Sequence, residues 1–191
     1  MKRVLLTVLA MIVFSACSAE VIPTPTPEPV VEEVFEFEQV RDNGNIYTSK
    51  DFFDAGFKEY KEYNVSKLTG AIEAWYGYWG PDEDSVRYYE LRFYPDHSTS
   101  VSEGTTFAED ATGEEAKLRR QNTMWRVGLS DRKRSSSALD SHPIQRAQGL
   151  EVRLAKYADY MIFNNVIMLC EGEDSNEAFK LCNDLIDILN K

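Results

Sequence analysis

Histidine and cysteine are scarce, at two and three in 191 residues. His97 and His142 lie far apart with no ligand-spaced neighbour, so a zinc centre is not expected, nor any other metal or cofactor. The acidic turns Asp82-Glu83-Asp84 and Glu171-Gly172-Glu173-Asp174 depart from EF-hand spacing and read as solvated turns rather than calcium sites. A Gly-x-Ser-x-Gly elbow, a phosphate loop and a dinucleotide fingerprint are all missing. Asp96-His97-Ser98 has the residue types of a hydrolytic triad, but sequence neighbours rarely point at one another, so a helix start or strand end is the plainer reading. A glycosidase needs only two placed carboxylates, and the chain has 32 acids, so catalysis is not excluded.

Positive charge is also in deficit. The formal charge is −11, and it becomes −13 once residues 1–16, with Lys2 and Arg3, are set aside. Such an acidic chain is unsuited to general nucleic-acid binding. One stretch runs against this trend: residues 117–156 hold ten Lys or Arg and three acids. Either it is a solvated surface, or it is a patch centred on Arg132, Lys133 and Arg134. Such a patch would dock on anionic lipid, an acidic wall polymer or the chain's own acidic surface.

Long apolar runs are limited to residues 4–14, too short for a bilayer-spanning helix but suited to a signal-peptide core. Lys2 and Arg3 precede this run, and Phe14-Ser15-Ala16-Cys17 ends it. The arrangement resembles the lipobox of bacterial lipoproteins, with Phe14 standing where Leu is usual. The resemblance implies that Cys17 is lipidated and becomes the mature N-terminus, anchored outside the cytoplasm on the cell membrane or outer membrane. Ser18 is compatible with outer-membrane sorting. Acyl chains stabilise attachment by about 0.8 kcal/mol per buried CH₂.

Proline is concentrated in Pro23, Pro25, Pro27 and Pro29, and Glu32, Glu33, Glu36 and Glu38 follow. Alternating proline favours an extended stalk at about 3.1 Å per residue. Val34, Phe35 and Phe37 alternatively begin the first strand. The organisation expected is a signal peptide at 1–16, a tether at 17–44 and one extracytoplasmic domain at 45–191.

Within that domain, Ser49 is placed to cap a helix carrying Phe52, Phe53 and Phe57. Residues 71–79 and 86–94 read as strands around the turn residues 80–85. Tyr89, Leu91 and Phe93 form the core side of the second strand. On its other side, Tyr88, Glu90, Arg92 and Tyr94, together with Trp75, are either a half-exposed surface for sugars or peptides or a face covered by the domain itself. A helix is expected through Val101, Thr105, Ala108 and Ala111, and another over 114–124. Residues 124–130 read equally as a strand, and 131–149 as a polar, basic loop. Residues 157–163 and 166–170 read as strands joined at Asn164-Asn165. Asp174 and Glu177 have capping-box spacing before an amphipathic helix bearing Ala178, Leu181, Cys182, Leu185 and Leu189. The fold expected is α+β, with an antiparallel sheet and helices packed on one side.

Cys170 and Cys182 form a disulfide in this reading, with two buried thiols as the alternative. Their spacing is unlike that of reactive Cys-x-x-Cys pairs. The function expected is that of a membrane-anchored lipoprotein with a noncatalytic ligand- or partner-binding domain. A tethered envelope hydrolase and a structural lipoprotein docking through residues 117–156 are the alternatives.

Overall fold

The computed structural model describes residues 38–134 and 154–190. The lipobox with Cys17, the proline-rich tether as far as residue 37, and Ser141-His142-Pro143 lie outside them.

The domain is α+β, built on a six-stranded sheet in the order β1-β5-β6-β4-β3-β2. The strands are β1 (Val40–Arg41), β2 (Lys58–Glu62), β3 (Glu73–Trp79), β4 (Arg87–Phe93), β5 (Tyr157–Phe163) and β6 (Val166–Glu171). All pairings are antiparallel except that of β1 with β5, where Val40 lies beside Ile162. The folded unit therefore starts before residue 44, because the main chain at the end of the expected tether supplies an edge strand.

Both expected hairpins form. In β3–β4, Tyr76 faces Glu90 and Tyr78 faces Tyr88. In β5–β6 the chain reverses at Asn164-Asn165, with Asn164 in the left-handed region at φ 54°, a conformation that asparagine tolerates better than most residues. Both side chains are buried and hold the segment after β1. Asn164 Nδ2 donates to the Asn45 carbonyl at 2.8 Å, and Asn165 Oδ1 accepts from the Tyr47 N–H at 2.7 Å.

One face of the sheet carries Tyr89, Leu91, Phe93, Met161, Phe163 and Met168 under helices α1 (Ser49–Asp54) and α4 (Ser175–Asp187). Asp174 caps α4 by accepting from the Glu177 N–H at 2.9 Å, and Glu177 reaches back to the Glu173 N–H. For α1 the cap is Thr48, one residue before the expected Ser49. The Cys170–Cys182 disulfide ties β6 to α4 inside this core.

The opposite face is covered too, so helices do not lie on one side alone. The pieces α2 (His97–Thr99), a π-helical turn (Ser100–Gly104) and α3 (Thr105–Glu109) cross it as one segment. Gly104 permits the close approach, since a Cβ there would lie 2.4 Å from Ile167 and 2.7 Å from the Tyr94 ring. Residues 114–130 form successive turns, neither the expected helix nor the alternative strand. Asp110 organises them: its Oδ2 accepts from Thr123 Oγ1 and the Met124 N–H, and its Oδ1 lies 2.9 Å from Lys117 Nζ. These tertiary bonds replace the helical ladder that local sequence favours.

Replacing Cys170 and Cys182 together by alanine removes a cross-link spanning twelve residues. It is expected to lower unfolding free energy by about 2–3 kcal/mol in urea titration. A loss below about 1 kcal/mol would show that the cross-link hardly restricts the unfolded chain.

Candidate functional site

Strand β4 runs from a wet end to a dry one. Along one side it presents Tyr88, Glu90 and Arg92 at period two, with Tyr94 just beyond the strand. Tyr88 is 38% exposed, whereas Glu90, Arg92 and Tyr94 are fully buried. The candidate site forms around the wet end, and a buried ionic cluster supports it from the dry end.

In the cluster, Glu90 Oε2 accepts from Arg132 Nε at 2.7 Å and Oε1 from Arg132 Nη2 at 2.9 Å. Oε1 also accepts from Arg92 Nε at 2.8 Å. The Trp125 ring lies 4.5 Å from the Arg132 guanidinium carbon and 5.2 Å from that of Arg92. Arg132 further donates to the carbonyls of Trp125 and Val127, fixing the covering turns to the sheet. Burial alone pushes the Glu90 carboxyl up, but the Arg132 and Arg92 charges together outweigh it and hold the carboxyl below its usual range.

At the wet end, Tyr76 and Tyr88 stack with centroids 5.4 Å apart, and Tyr60 and Tyr78 meet them edge-on. Tyr60 occupies the register shift between Glu59 and Lys61, which frees it from the pairing pattern and leaves it 72% exposed. Gly77 allows β2 to approach, since a Cβ there would lie 2.3 Å from the Lys58 carbonyl oxygen. Lys156 Nζ lies 4.9 Å and 4.7 Å from the Tyr76 and Tyr88 ring centres and donates to the Tyr76 hydroxyl at 2.7 Å. Burial pushes the Lys156 amine down and the Glu171 carboxyl up. Glu171 accepts from the Tyr88 N–H at 3.1 Å. Here a groove of about 450 Å³ is lined by Arg87, Tyr88, Arg134, Lys156, Glu171 and Glu177, among others.

The residues singled out from sequence therefore separate. Trp75 lies opposite Leu91 in register, so it shares the other face and packs edge-on against Phe53 at 5.2 Å. Glu90, Arg92 and Tyr94 offer no surface to a partner, because the turns around Trp125 and the segment over Gly104 cover them. Arg132 is 2% exposed and is not part of a basic surface, since the Glu90 carboxylate draws it inward. Its neighbours diverge. Lys133 lines a groove of about 310 Å³ with Arg120 and Arg126, whereas Arg134 joins Tyr88 in the aromatic groove. Sequence does not single out Lys156, and it marks Glu171 only as part of a solvated acidic turn. Only the register and the isolated Lys133–Ala155 bridge carry them to Tyr88.

Asp96, His97 and Ser98 form a helix start. The Asp96 carboxylate accepts from the Thr99 N–H at 2.7 Å, and His97 Nδ1 lies 2.8 Å from the Asn164 carbonyl oxygen. Among the described residues no hydrogen bond joins the His97 ring to Asp96 or Ser98, and no cluster of His, Cys, Asp and Glu is arranged to hold a metal ion. No described helix is long and apolar enough to cross a membrane.

A family model described as a family of unknown function, DUF6810, matches residues 48–191. No curated protein and no solved structure matches the chain.

Removing one partner of the ionic cluster leaves a buried charge short of compensation. Arg132→Met is expected to cost about 3 kcal/mol or more, read from urea unfolding at pH 7. In the intact protein, Glu90 has a lower pKa folded than unfolded. Its stabilisation is therefore complete above the usual glutamate value and declines as pH falls through the lower folded value. Unfolding midpoints measured from pH 7 to pH 3 should be less acid-sensitive in Glu90→Gln than in the wild type. Equal acid slopes would mean that Glu90 titrates alike folded and unfolded.

Proposed function

We propose that this chain, which belongs to the DUF6810 family of unknown function, is a noncatalytic binding domain held outside the cytoplasm by a lipid anchor. The observation that carries the binding reading is the groove at the end of β4. Stacked tyrosines, a lysine set over two of their rings, and Arg87, Arg134 and Glu171 converge there on one surface. Aromatic rings with a few placed polar groups supply contact area and orientation for a ligand. The alternative of a tethered hydrolase is less well supported, because Asp96 caps a helix and His97 bonds a backbone carbonyl.

The anchor rests on the Phe14-Ser15-Ala16-Cys17 sequence and its basic, apolar lead-in. The proline-rich sequence after Cys17 would then serve as the tether between the anchor and the binding domain. A docking role for the basic stretch is a second reading, supported by the groove where Lys133 joins Arg120 and Arg126. Salt-sensitive binding to anionic vesicles that disappears when these three residues become glutamine would favour it.

Two measurements test the main reading. Cys17→Ala is expected to abolish incorporation of labelled palmitate and shift the protein from the membrane to the soluble fraction. Continued lipid labelling of that variant would overturn the anchor. Tyr88→Ala, checked for an unchanged melting temperature, should lose most retention of material from an envelope extract on the immobilised full chain. Retention equal to the wild type would move the binding surface away from the groove.

A further inference from the structure

We infer that the buried end of Arg92 binds a small monovalent anion of halide size, held by the guanidinium with the Tyr94 hydroxyl and the Trp125 indole N–H. This site is separate from the groove beside Tyr88 and does not depend on it. The first observation is a charge imbalance inside the fold. Glu90, Arg92 and Arg132 are all buried, which sets two guanidiniums against one carboxylate. Of the acids in residues 97–134, which cover this side of the sheet, only Asp110 and Asp131 are not exposed. Both are committed to other cations. Asp110 lies beside Lys117 and accepts from Thr123 and the Met124 N–H, and Asp131 accepts from Lys61 and Tyr63. The cluster around Glu90 therefore keeps one net positive charge in the interior, where an uncompensated charge is costly.

The second observation locates that charge. Arg132 is held by both Glu90 oxygens and by two carbonyls. Arg92 is fully buried but donates one hydrogen bond, from Nε to Glu90 Oε1. Its Nη2 lies 2.8 Å from the same oxygen without hydrogen-bond geometry, and its Nη1 has no partner among the described residues. Burial opposes the charge on Arg92, yet an arginine does not release its proton in a protein, so a counter-ion is the remaining compensation.

Two further orphaned groups adjoin it. Tyr94 follows two positions along the same side of the chain, and its hydroxyl is buried without a partner. The Trp125 ring centre lies 5.2 Å from the Arg92 guanidinium carbon, and its Nε1 is likewise buried and unbonded. Guanidinium and indole nitrogens only donate, so the missing partner is an acceptor. The net charge makes that acceptor an anion rather than a water. Ala74 stands opposite Arg92 in register, and Ala108 and Ala111 pack with Tyr94. Such short side chains suit a single ion better than a polyatomic ligand.

The test is thermal unfolding of the full chain in detergent, with sodium chloride replacing sodium gluconate at constant ionic strength. The melting temperature should rise by several degrees and then saturate, as a ligand of the folded state requires. Crystals of the full chain grown in bromide should show an anomalous scattering peak beside the Arg92 Nη atoms. Arg92→Gln leaves Glu90 its two-point bond to Arg132 and makes the cluster neutral, so it should fold and lose the chloride response. Tyr94→Phe removes one donor and should weaken the apparent chloride affinity several-fold. Should the arginine variant not fold, Tyr94→Phe and the bromide peak decide. Equal melting temperatures in chloride and gluconate, with no bromide peak at Arg92, would overturn the anion and leave water as the acceptor. A chloride response unchanged in the variants would put the ion elsewhere and overturn the site.

Discussion

The Glu90 carboxylate is the constraint on which the rest depends. It is fully buried on a central strand and is compensated by Arg92 from its own strand and by Arg132 from a distant turn. A lone carboxylate in that position would be prohibitively costly, so the chain must bring a cation to it. The cation comes from residue 132, forty-two positions away, and the turns around Trp125 come with it. One ion pair thereby decides which segment covers this face of the sheet. It also accounts for the irregular course of residues 114–130: Lys117, Thr123 and the Met124 N–H bond Asp110, and the Trp125 and Val127 carbonyls accept from Arg132.

The groove follows from that arrangement. With Arg132 drawn inward, Lys133 and Arg134 leave in different directions, and the Lys133–Ala155 bridge places Lys156 over the tyrosines of β3 and β4. The same strand that buries Glu90 and Arg92 presents Tyr88 at its open end. The rigid, dry part of β4 therefore fixes the position of its wet part, which is how a scaffold pre-orders a binding surface. The groove sits beside the start of α4, and the disulfide holds that helix to β6. Two independent cross-links, one ionic and one covalent, thus flank the candidate site.

Much of the architecture was legible from local pattern. Strand composition predicted β3, apolar runs predicted β5 and β6, period-two alternation predicted the Tyr89, Leu91, Phe93 core face of β4, and the spacing of Asp174 and Glu177 predicted the capped final helix. Where prediction failed, a specific side-chain bond or an available sheet edge had won. Thr48 rather than Ser49 caps α1 because the Asp51 carboxylate reaches back to the Thr48 N–H. The region 114–124 has helical composition, yet Asp110 and Gly113 turn it. The strand at Val40–Arg41 is too short to have a period, and exists because an edge of β5 was available to pair with.

The sequence by itself determined the α+β class, both hairpins, the pairing of Cys170 with Cys182 as the favoured option, and the polar-aromatic character of one side of β4. Each is a matter of periodicity or spacing between near neighbours, which local sterics and burial impose. Tertiary structure alone decided which of those β4 residues meet solvent. A Glu–Arg pair at period two reads the same whether a distant arginine closes over it or not. It likewise decided that Arg132 turns inward while Arg134 and Lys156 remain beside Tyr88, because the desolvation of a single carboxylate selects among equally basic neighbours.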